Sequence, residues 1–381
     1  MVQTKVYSSN IVDTQQALIA IGTELRRDGF EPDSALVFAS VHHANHGSLI
    51  NDALTDILGN APFLGWFGTS AYDHQQLSEW QPAVALLAFK GIKAHVQASA
   101  PEDLGAHVGV SLLADSPTGA MRFLAASGAR LEPKGLLATL DEQPVPLAGA
   151  ISLSPKNAPD LLICSDQQGS GTLGAAMATF SRLSMTTSVA QGTKILGEKH
   201  RVTQSRANHL LALDGTNALE VLMSELPETL QEKLPSLGGQ LFAGLSTPDG
   251  DSWLMRNVVG IDPQQGVLVL ADVCPEGSEL AFFILDSQAA QTNMQEAILE
   301  LKAALGDDDP LAVVVFNCAS RNQTLLGESL YDVAAIESAF SDDMPLVGVA
   351  GGGEFSTVGR QSHLFQYCSV IAALTLQDAP S

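Results

Sequence analysis

Basic side chains are scarce: 19 Lys and Arg stand against 42 Asp and Glu, for a formal net charge of −23. No run of Lys or Arg interrupts that field, which repels phosphate backbones and anionic lipid headgroups, so neither nucleic acid nor a membrane surface is an expected partner. Long apolar runs are missing as well. The longest, LAVVVF and AVALLAF, fall far short of a membrane span, and the N-terminal MVQTKVYSSNIVDTQQ lacks the apolar core of a secretion signal. Cysteine is rare, and Cys164, Cys274, Cys318 and Cys368 form no C-x-x-C pair and no metal-ligand spacing. A reduced, cytoplasmic setting is the expectation, with no metal and no cofactor. What is abundant is apolar material, 45% of 381 residues, enough for substantial cores and, at this length, for two domains.

Periodicity predicts mixed α/β structure. After Asp13 as N-cap, Leu18, Ile21 and Leu25 recur at helical spacing until Gly29. SALVFASV then reads as a buried strand, Ile50, Leu54 and Leu58 as one face of a second helix ending at Gly59, and APFLGWFG and QPAVALLAF as two strands. The same order recurs at the other end. Thr292 and Gln295 read as a capping box, followed by LAVVVFNC as a strand, GESLYDVAAIESAF as a helix, and MPLVGVAG and QYCSVIAALTL as strands. Pro62, Gly65 and Gly68 share the spacing of Pro345, Gly348 and Gly351, and FASVHH lies over FNCASR, setting Ser40 opposite Cys318 and His43 opposite Arg321. The expectation is an internal duplication: two pseudo-symmetric domains of mixed sheets with flanking helices, layered with the sheets packed together. RNVVGID, VLVLAD and ELAFFILD predict a β-meander between the copies. Residues 100–190 give no readable order.

The run GVAGGGEF, with Gly351, Gly352, Gly353 and Glu354, invites a phosphate-loop reading. Such loops lie between a strand and a helix whose amides bind the phosphate, and here another strand pattern follows, without a Lys-Ser/Thr pair. The glycines therefore read as a tight strand exit beside a pocket, with positive φ or close backbone approach and Glu354 at the rim, or as a plain bulge with Glu354 solvated. HHANH offers three imidazoles in a spacing that fits no standard zinc site, so it reads as a loop of partly exposed histidines.

The segment AQGTKILGEKHRVTQSRANHLLALDGTNALEVL, residues 190–222, resembles the signature of the FIST family: Gln-Gly with a following Gly, Val-Thr, an Asn, Leu-Asp-Gly and Ala-Leu. FNCASRNQTLLGES and GVAGGGEFS are similar to the Cys-x-x-Arg stretch and Gly-Glu turn of its C-terminal domain. SDQQGSGTLGAAMATFSRLSM looks shorter than the family's strand-rich connection. The resemblance implies an N-terminal domain over 1–213 and a C-terminal domain over 214–381. It also implies a cytoplasmic sensory module that binds a small molecule such as an amino acid and reports to a signalling partner. The chain has no room for the F-box or kinase that accompanies some members.

Candidate ligand contacts are Cys318, Arg321, Gly351, Gly352, Gly353, Glu354, His43 and Asn208. Arg321, a scarce cation at a strand end, is expected to take a ligand carboxylate or to pair with Glu354, with a surface pair to Glu328 as the plainer alternative. Glu354 would then take an ammonium group, so that a zwitterion fits both. Cys318 reads either as a thiol activated by following helix amides or as an inert buried one. Asp214-Gly215 reads as turn chemistry. No catalytic constellation stands out and no enzyme is expected. A hydrolase or transferase using Cys318 with a base such as His363, and a protein-interaction scaffold, are the alternatives.

Overall fold

The computed structural model describes residues 2–73, 79–99, 105–114, 116–117, 121–128, 131–154, 162–165, 174–247, 252–341 and 343–377. Of the segment SDQQGSGTLGAAMATFSRLSM, residues 166–173 lie outside these. The chain forms two compact units, residues 1–190 with 291–381, and residues 191–290. The boundary expected at 213/214 falls inside the second.

The first unit is a threefold repetition. Copy one runs β1 (Gln3–Ser9), α1 (Thr14–Arg27), β2 (Ser34–Ser40), α2 (Gly47–Leu58), β3 (Phe63–Gly68), β4 (Ala71–Asp73) and β5 (Val84–Lys90). Copy two repeats this as β6 (Ala94–Ala98), α3 (Ala106–Leu113), β7 (Met121–Ser127), α4 (Pro133–Leu140), β8 (Leu147–Ser152), β9 (Ile163–Cys164) and β10 (Ala175–Phe180). Copy three opens with β11 (Leu183–Gln191) and is interrupted by the whole second unit. That unit contains β12 (Thr193–Arg206), β13 (His209–Leu213), β14 (Thr216–Asn217), α5 (Ala218–Glu225), α6 (Glu228–Gln231), β15 (Leu241–Ser246), β16 (Trp253–Asp262), β17 (Val267–Leu270) and β18 (Glu279–Leu285). Copy three then resumes with α7 (Ser287–Leu305), β19 (Ala312–Cys318), α8 (Gln323–Leu326), α9 (Tyr331–Ala339), β20 (Leu346–Gly351), β21 (Glu354–Val358), β22 (Gln361–Phe365) and β23 (Cys368–Leu376).

Strand order proves the equivalence: β1-β5-β2-β3-β9, β6-β10-β7-β8-β21 and β11-β23-β19-β20-β4. In each sheet the two central strands are parallel, with Ser40 across from Gly68, Ser127 from Ser152, and Cys318 from Gly351. Beyond the parallel pair each sheet is extended by a strand from another copy: β4 completes copy three, β9 copy one, and β21 copy two, where β22 pairs with β21 as a sixth, edge strand. This cyclic exchange ties the copies together. The duplication read from the ends of the sequence therefore holds, both copies lie in one compact unit, and a third lies in the stretch that gave no readable order.

Local chemistry sets these elements. Asp13 caps α1 by accepting from the Gln16 amide at 2.8 Å, and Gly29 and Gly59 stop α1 and α2 with φ of 60° and 62°. The helix expected to start at Thr292 begins at Ser287, because Asp286 accepts from the Ala289 amide at 2.8 Å and caps it a turn and a half earlier. Gly65, Gly149 and Gly348 occupy one equivalent position, where a Cβ would run into the carbonyl of Val37, Leu124 or Val315 on the neighbouring strand.

Helices cover one face of each sheet over a separate apolar core. The opposite faces meet in an aromatic plug. Trp66 stacks on Phe38 with centroids 5.3 Å apart and meets Phe316 at 5.0 Å, while Phe123 lies 6.1 Å from Phe316. All three copies contribute to this plug, and the Trp66 indole donates to the Leu124 carbonyl at 3.1 Å. The expected sheet-to-sheet packing is thus present, among three sheets and not two.

In the second unit the predicted meander becomes part of a closed barrel. The ladder β12-β18-β15-β16-β17-β13 returns to β12, which pairs with both β18 and β13. Closure leaves no free edge among these six strands, and Leu196, Leu210, Leu268, Leu280 and Phe282 fill the interior.

Candidate functional site

The carboxyl ends of the parallel pair β19 and β20 carry a buried polar network. Arg321, three residues past β19, is 4% exposed. Its Nε donates to Asp332 Oδ2 at 2.7 Å and its Nη2 to Oδ1 at 2.8 Å. Asp332 opens α9 and also accepts from Asn317 Nδ2 at 2.7 Å, and Asn317 Oδ1 accepts from the Tyr72 hydroxyl of β4. Burial works against the Arg321 charge, yet the adjoining Asp332 carboxylate holds the guanidinium above its ordinary value. Burial, with Asp332 and Glu354 beside it, keeps the Tyr72 phenol well above 10 and therefore a donor.

Thr69, Ser70, Tyr72, Asn317, Arg321 and Asp332 wall a small polar pocket, with Glu79 and half-exposed Trp80 on its outer side. Glu79 accepts from the Gln323 amide at 3.1 Å and the Leu330 amide at 3.0 Å, pinning the turn that carries Arg321 and α8. Trp80 and Leu330 both hold left-handed backbone, with φ of 59° and 52°. That conformation costs a bulky residue on the order of 1–3 kcal/mol, and such strain concentrates around binding sites.

Behind this pocket lies a second buried cluster. Glu354, fully buried, sits across from Ala150 on β8 and accepts from the Cys368 thiol at 3.4 Å, while its Oε1 has no hydrogen-bond partner. Burial pushes its carboxyl well above the ordinary 4.5, against the smaller pull of the Cys368 hydrogen bond and the Arg321 charge, so Glu354 is a neutral acid. It is neither the rim residue nor the solvated one expected. Burial, then Glu354, pushes the Cys318 thiol up to about 11. The expected activation by helix amides fails because a turn follows β19, and only the four-residue α8 starts beyond it.

Other expected contacts resolve differently. Arg321 is filled by Asp332, not by Glu354 or Glu328, because α9 presents Asp332 to it in a bidentate fork. Gly351, Gly352 and Gly353 need no positive φ. Their function is close approach: Gly352 donates to the Ile151 carbonyl at 2.9 Å and Gly353 accepts from the Ile151 amide at 2.8 Å, as the chain crosses from β20 to β21. A Cβ on Gly351 would crowd Ala150 and the Ile151 carbonyl. His43 occupies the place equivalent to Arg321 in copy one, but it is fully buried and shares a 2.9 Å hydrogen bond with Thr14. Burial, then His42 and His46, lowers it to about 4. It does not wall the pocket. Only His42 and His46 of that trio are exposed.

Asn208 belongs to the second unit, where its amide donates to the Leu270 carbonyl at 2.9 Å and closes a turn. Asp214 is turn chemistry as expected, at φ 50° and accepting from the Arg201 amide at 3.0 Å. His200 bridges it to Glu225, at 2.9 and 3.2 Å. His363 lies on β22 across from Ser356, its ring edge-on to Phe365. Among the described residues no group of three or more His, Cys, Asp or Glu could hold a metal ion, and no helix is long and apolar enough to cross a membrane.

The sequence signal for Tyr72, Asn317 and Asp332 was thin, since each is one polar residue within an apolar element. Glu79 and Trp80 gave none.

Sequence comparison matches residues 33–216 to the FIST N domain and residues 218–357 to the FIST C domain. An uncharacterized protein of Mycobacterium tuberculosis is 26% identical over 192 residues, covering 48% of this chain and 49% of that protein. One of Mycobacterium bovis is 24% identical over 191 residues, with 48% and 49% covered. The chain spans about half the length of these curated relatives. A solved cyanuric acid hydrolase covers 99% of this chain and 100% of its own at 11% identity, with a TM-score of 0.32, too low to carry an argument. With both halves of the signature matched over most of its length, the chain belongs to the FIST family, whose domains are sensory, signal-transduction modules.

Proposed function

We propose that this sensory module binds a small zwitterion, an amino acid or similar metabolite, in the pocket walled by Arg321, Asp332, Asn317 and Tyr72. The observation that carries the reading is the buried pair of opposite charges standing side by side in one pocket wall. A buried ion pair adds little stability over an apolar replacement, so its place at the carboxyl ends of parallel strands, where ligands of α/β sheets gather, favours recognition. The pocket has room for about one water, roughly 10 Å³, so the ligand docks at its mouth against Glu79 and Trp80, and the Arg321–Asp332 pair opens to take its carboxylate and its ammonium. The pair of Arg321 and Glu354 expected to clamp the zwitterion is replaced by Arg321 and Asp332, because Glu354 is a walled-in neutral acid. Four buried cysteines, none in a disulfide among the described residues, support a reducing, cytoplasmic setting. A signalling partner that reads the liganded state completes the reading.

A thermal-shift screen of amino acids and small metabolites tests it. Ligand at 100 times its Kd stabilises the fold by about 2.7 kcal/mol, enough to detect. The shift should shrink in Trp80→Ala and in Tyr72→Phe, which removes only one hydroxyl. A wild type unmoved by every compound, or variants that respond as it does, would contradict the assignment.

A further inference from the structure

Strands β19 and β23 run antiparallel, with Ala312 across from Leu374 and Asn317 across from Ser369. One more step in that register sets Cys318, the last residue of β19, across from Cys368, the first of β23. Directly opposed residues on antiparallel strands hold their Cα atoms about 4.5–5.5 Å apart. A disulfide spans about 4.4–6.8 Å. Both thiols are free and buried. Cys164 faces Leu64 instead, and Cys274 lies in the other unit.

Each sulfur is also supplied with partners. Cys318 Sγ accepts from Ser320 Oγ at 3.1 Å and from the backbone amides of Ser320 and Tyr367. Tyr367 stands just before β23 at φ 58°. The Cys368 thiol donates to Glu354 Oε2, and Glu354 is a buried acid whose other oxygen is unpartnered. We propose that Cys318 and Cys368 form a redox-active dithiol, converted by a peroxide oxidant to an intramolecular disulfide with Glu354 moving the proton.

In the first step Cys318 sulfur attacks one peroxide oxygen. An S–O bond forms and the O–O bond breaks, and the thiol proton leaves on the departing hydroxide as water, giving Cys318 sulfenic acid. In the second step Cys368 sulfur attacks Cys318 sulfur. The S–S bond forms, the S–O bond breaks, Glu354 Oε2 takes the Cys368 proton, and the Glu354 carboxyl proton leaves with the hydroxyl as a second water. Two thiols are oxidised by two electrons and one peroxide is reduced to two waters. Asn317 and Ala319, on either side of Cys318, both wall the pocket, so the oxidation state would be read there. That link rests on the proposed ligand site, whereas the dithiol does not.

The test uses the full chain, reduced, then exposed to hydrogen peroxide at neutral and alkaline pH, denatured, alkylated and mapped by mass spectrometry. The expected product has lost two hydrogens, shows two alkylatable thiols in place of four, and joins the Cys318 and Cys368 peptides. The titratable and charged groups acting on the thiols are Glu354 on β21, which faces both, and Arg321 after β19, which acts on Cys368. With Cys318 held near 11, the rate should rise about tenfold per pH unit as thiolate becomes available. In Cys368→Ala, dimedone should trap a sulfenic acid on Cys318, and in Cys318→Ala, Cys368 should stay reduced. Diamide on the wild type should give the same link, which keeps the test independent of how the variants fold. Four intact thiols after alkaline peroxide and diamide, a link through Cys164 or Cys274, or Cys318 advancing to sulfinic acid without a link would each overturn the proposal.

Discussion

Removing one member of the Arg321–Asp332 pair should cost far more than its share of the pair. In Arg321→Ala the Asp332 carboxylate stays buried with only the Asn317 amide among its named donors, after losing two charge-assisted bonds of 2.7 and 2.8 Å. Breaking a buried pair this way typically costs about 3–5 kcal/mol, and Asp332→Ala, which strands the guanidinium, should cost the same. The double variant leaves no buried charge behind. Its loss should stay below about 5 kcal/mol, against roughly 6–10 if the two effects added, a coupling of at least about 1 kcal/mol. Denaturant unfolding measures it, with Trp253→Phe as background so that fluorescence reports Trp66 and Trp80 of the first unit. Two-state behaviour holds for one cooperative body, so a single transition seen by Trp66 and Trp80 reports the first unit. Losses that add within about 0.5 kcal/mol would refute the argument that the two charges are mutually dependent.

Glu354 gives a pH signature. Its folded value is raised above 4.5, so the folded chain binds a proton that the unfolded chain has released. This residue's contribution is fully present below about 4.5 and is lost as pH rises through the folded value, at about 1.4 kcal/mol per pH unit within that window. Glu354→Gln should flatten the slope above pH 4.5, and identical slopes in urea melts of both proteins would count against a neutral buried acid. Gly348→Ala should destabilise by about 1–3 kcal/mol through overpacking, because its Cβ would meet the Tyr72 ring and the Val315 carbonyl. A neutral melting temperature would show that the close approach is not real.

The first and third copies were legible because their strands are long apolar runs bounded by Gly and Pro, and their helices carry Asp13 or Gly59 at the ends. The second copy was not, because its helices α3 and α4 have eight residues each and its sheet is rich in alanine, as in MRFLAAS and AAMATF. AASGAR, which ends β7 as FASVHH and FNCASR end β2 and β19, was the available signal for it. Sequence reasoning reached Arg321 and Glu354 through their charge at strand ends. It missed their partners, because which carboxylate reaches Arg321 depends on how α9 packs over β19, and no spacing along the chain encodes that. Cyclic exchange of β4, β9 and β21 is equally invisible, since it pairs residues from about 100 to almost 280 positions apart, such as Leu64 with Cys164 and Ala71 with Val349.

Hydrogen exchange in the presence of a mixture of amino acids at saturating concentration tests the ligand site most directly. Protection is expected over residues 317–332 and at Glu79 and Trp80, where the pocket, its ion pair and the Glu79 bonds to Gln323 and Leu330 lie. No change anywhere, or protection confined to residues 191–290, would contradict the account.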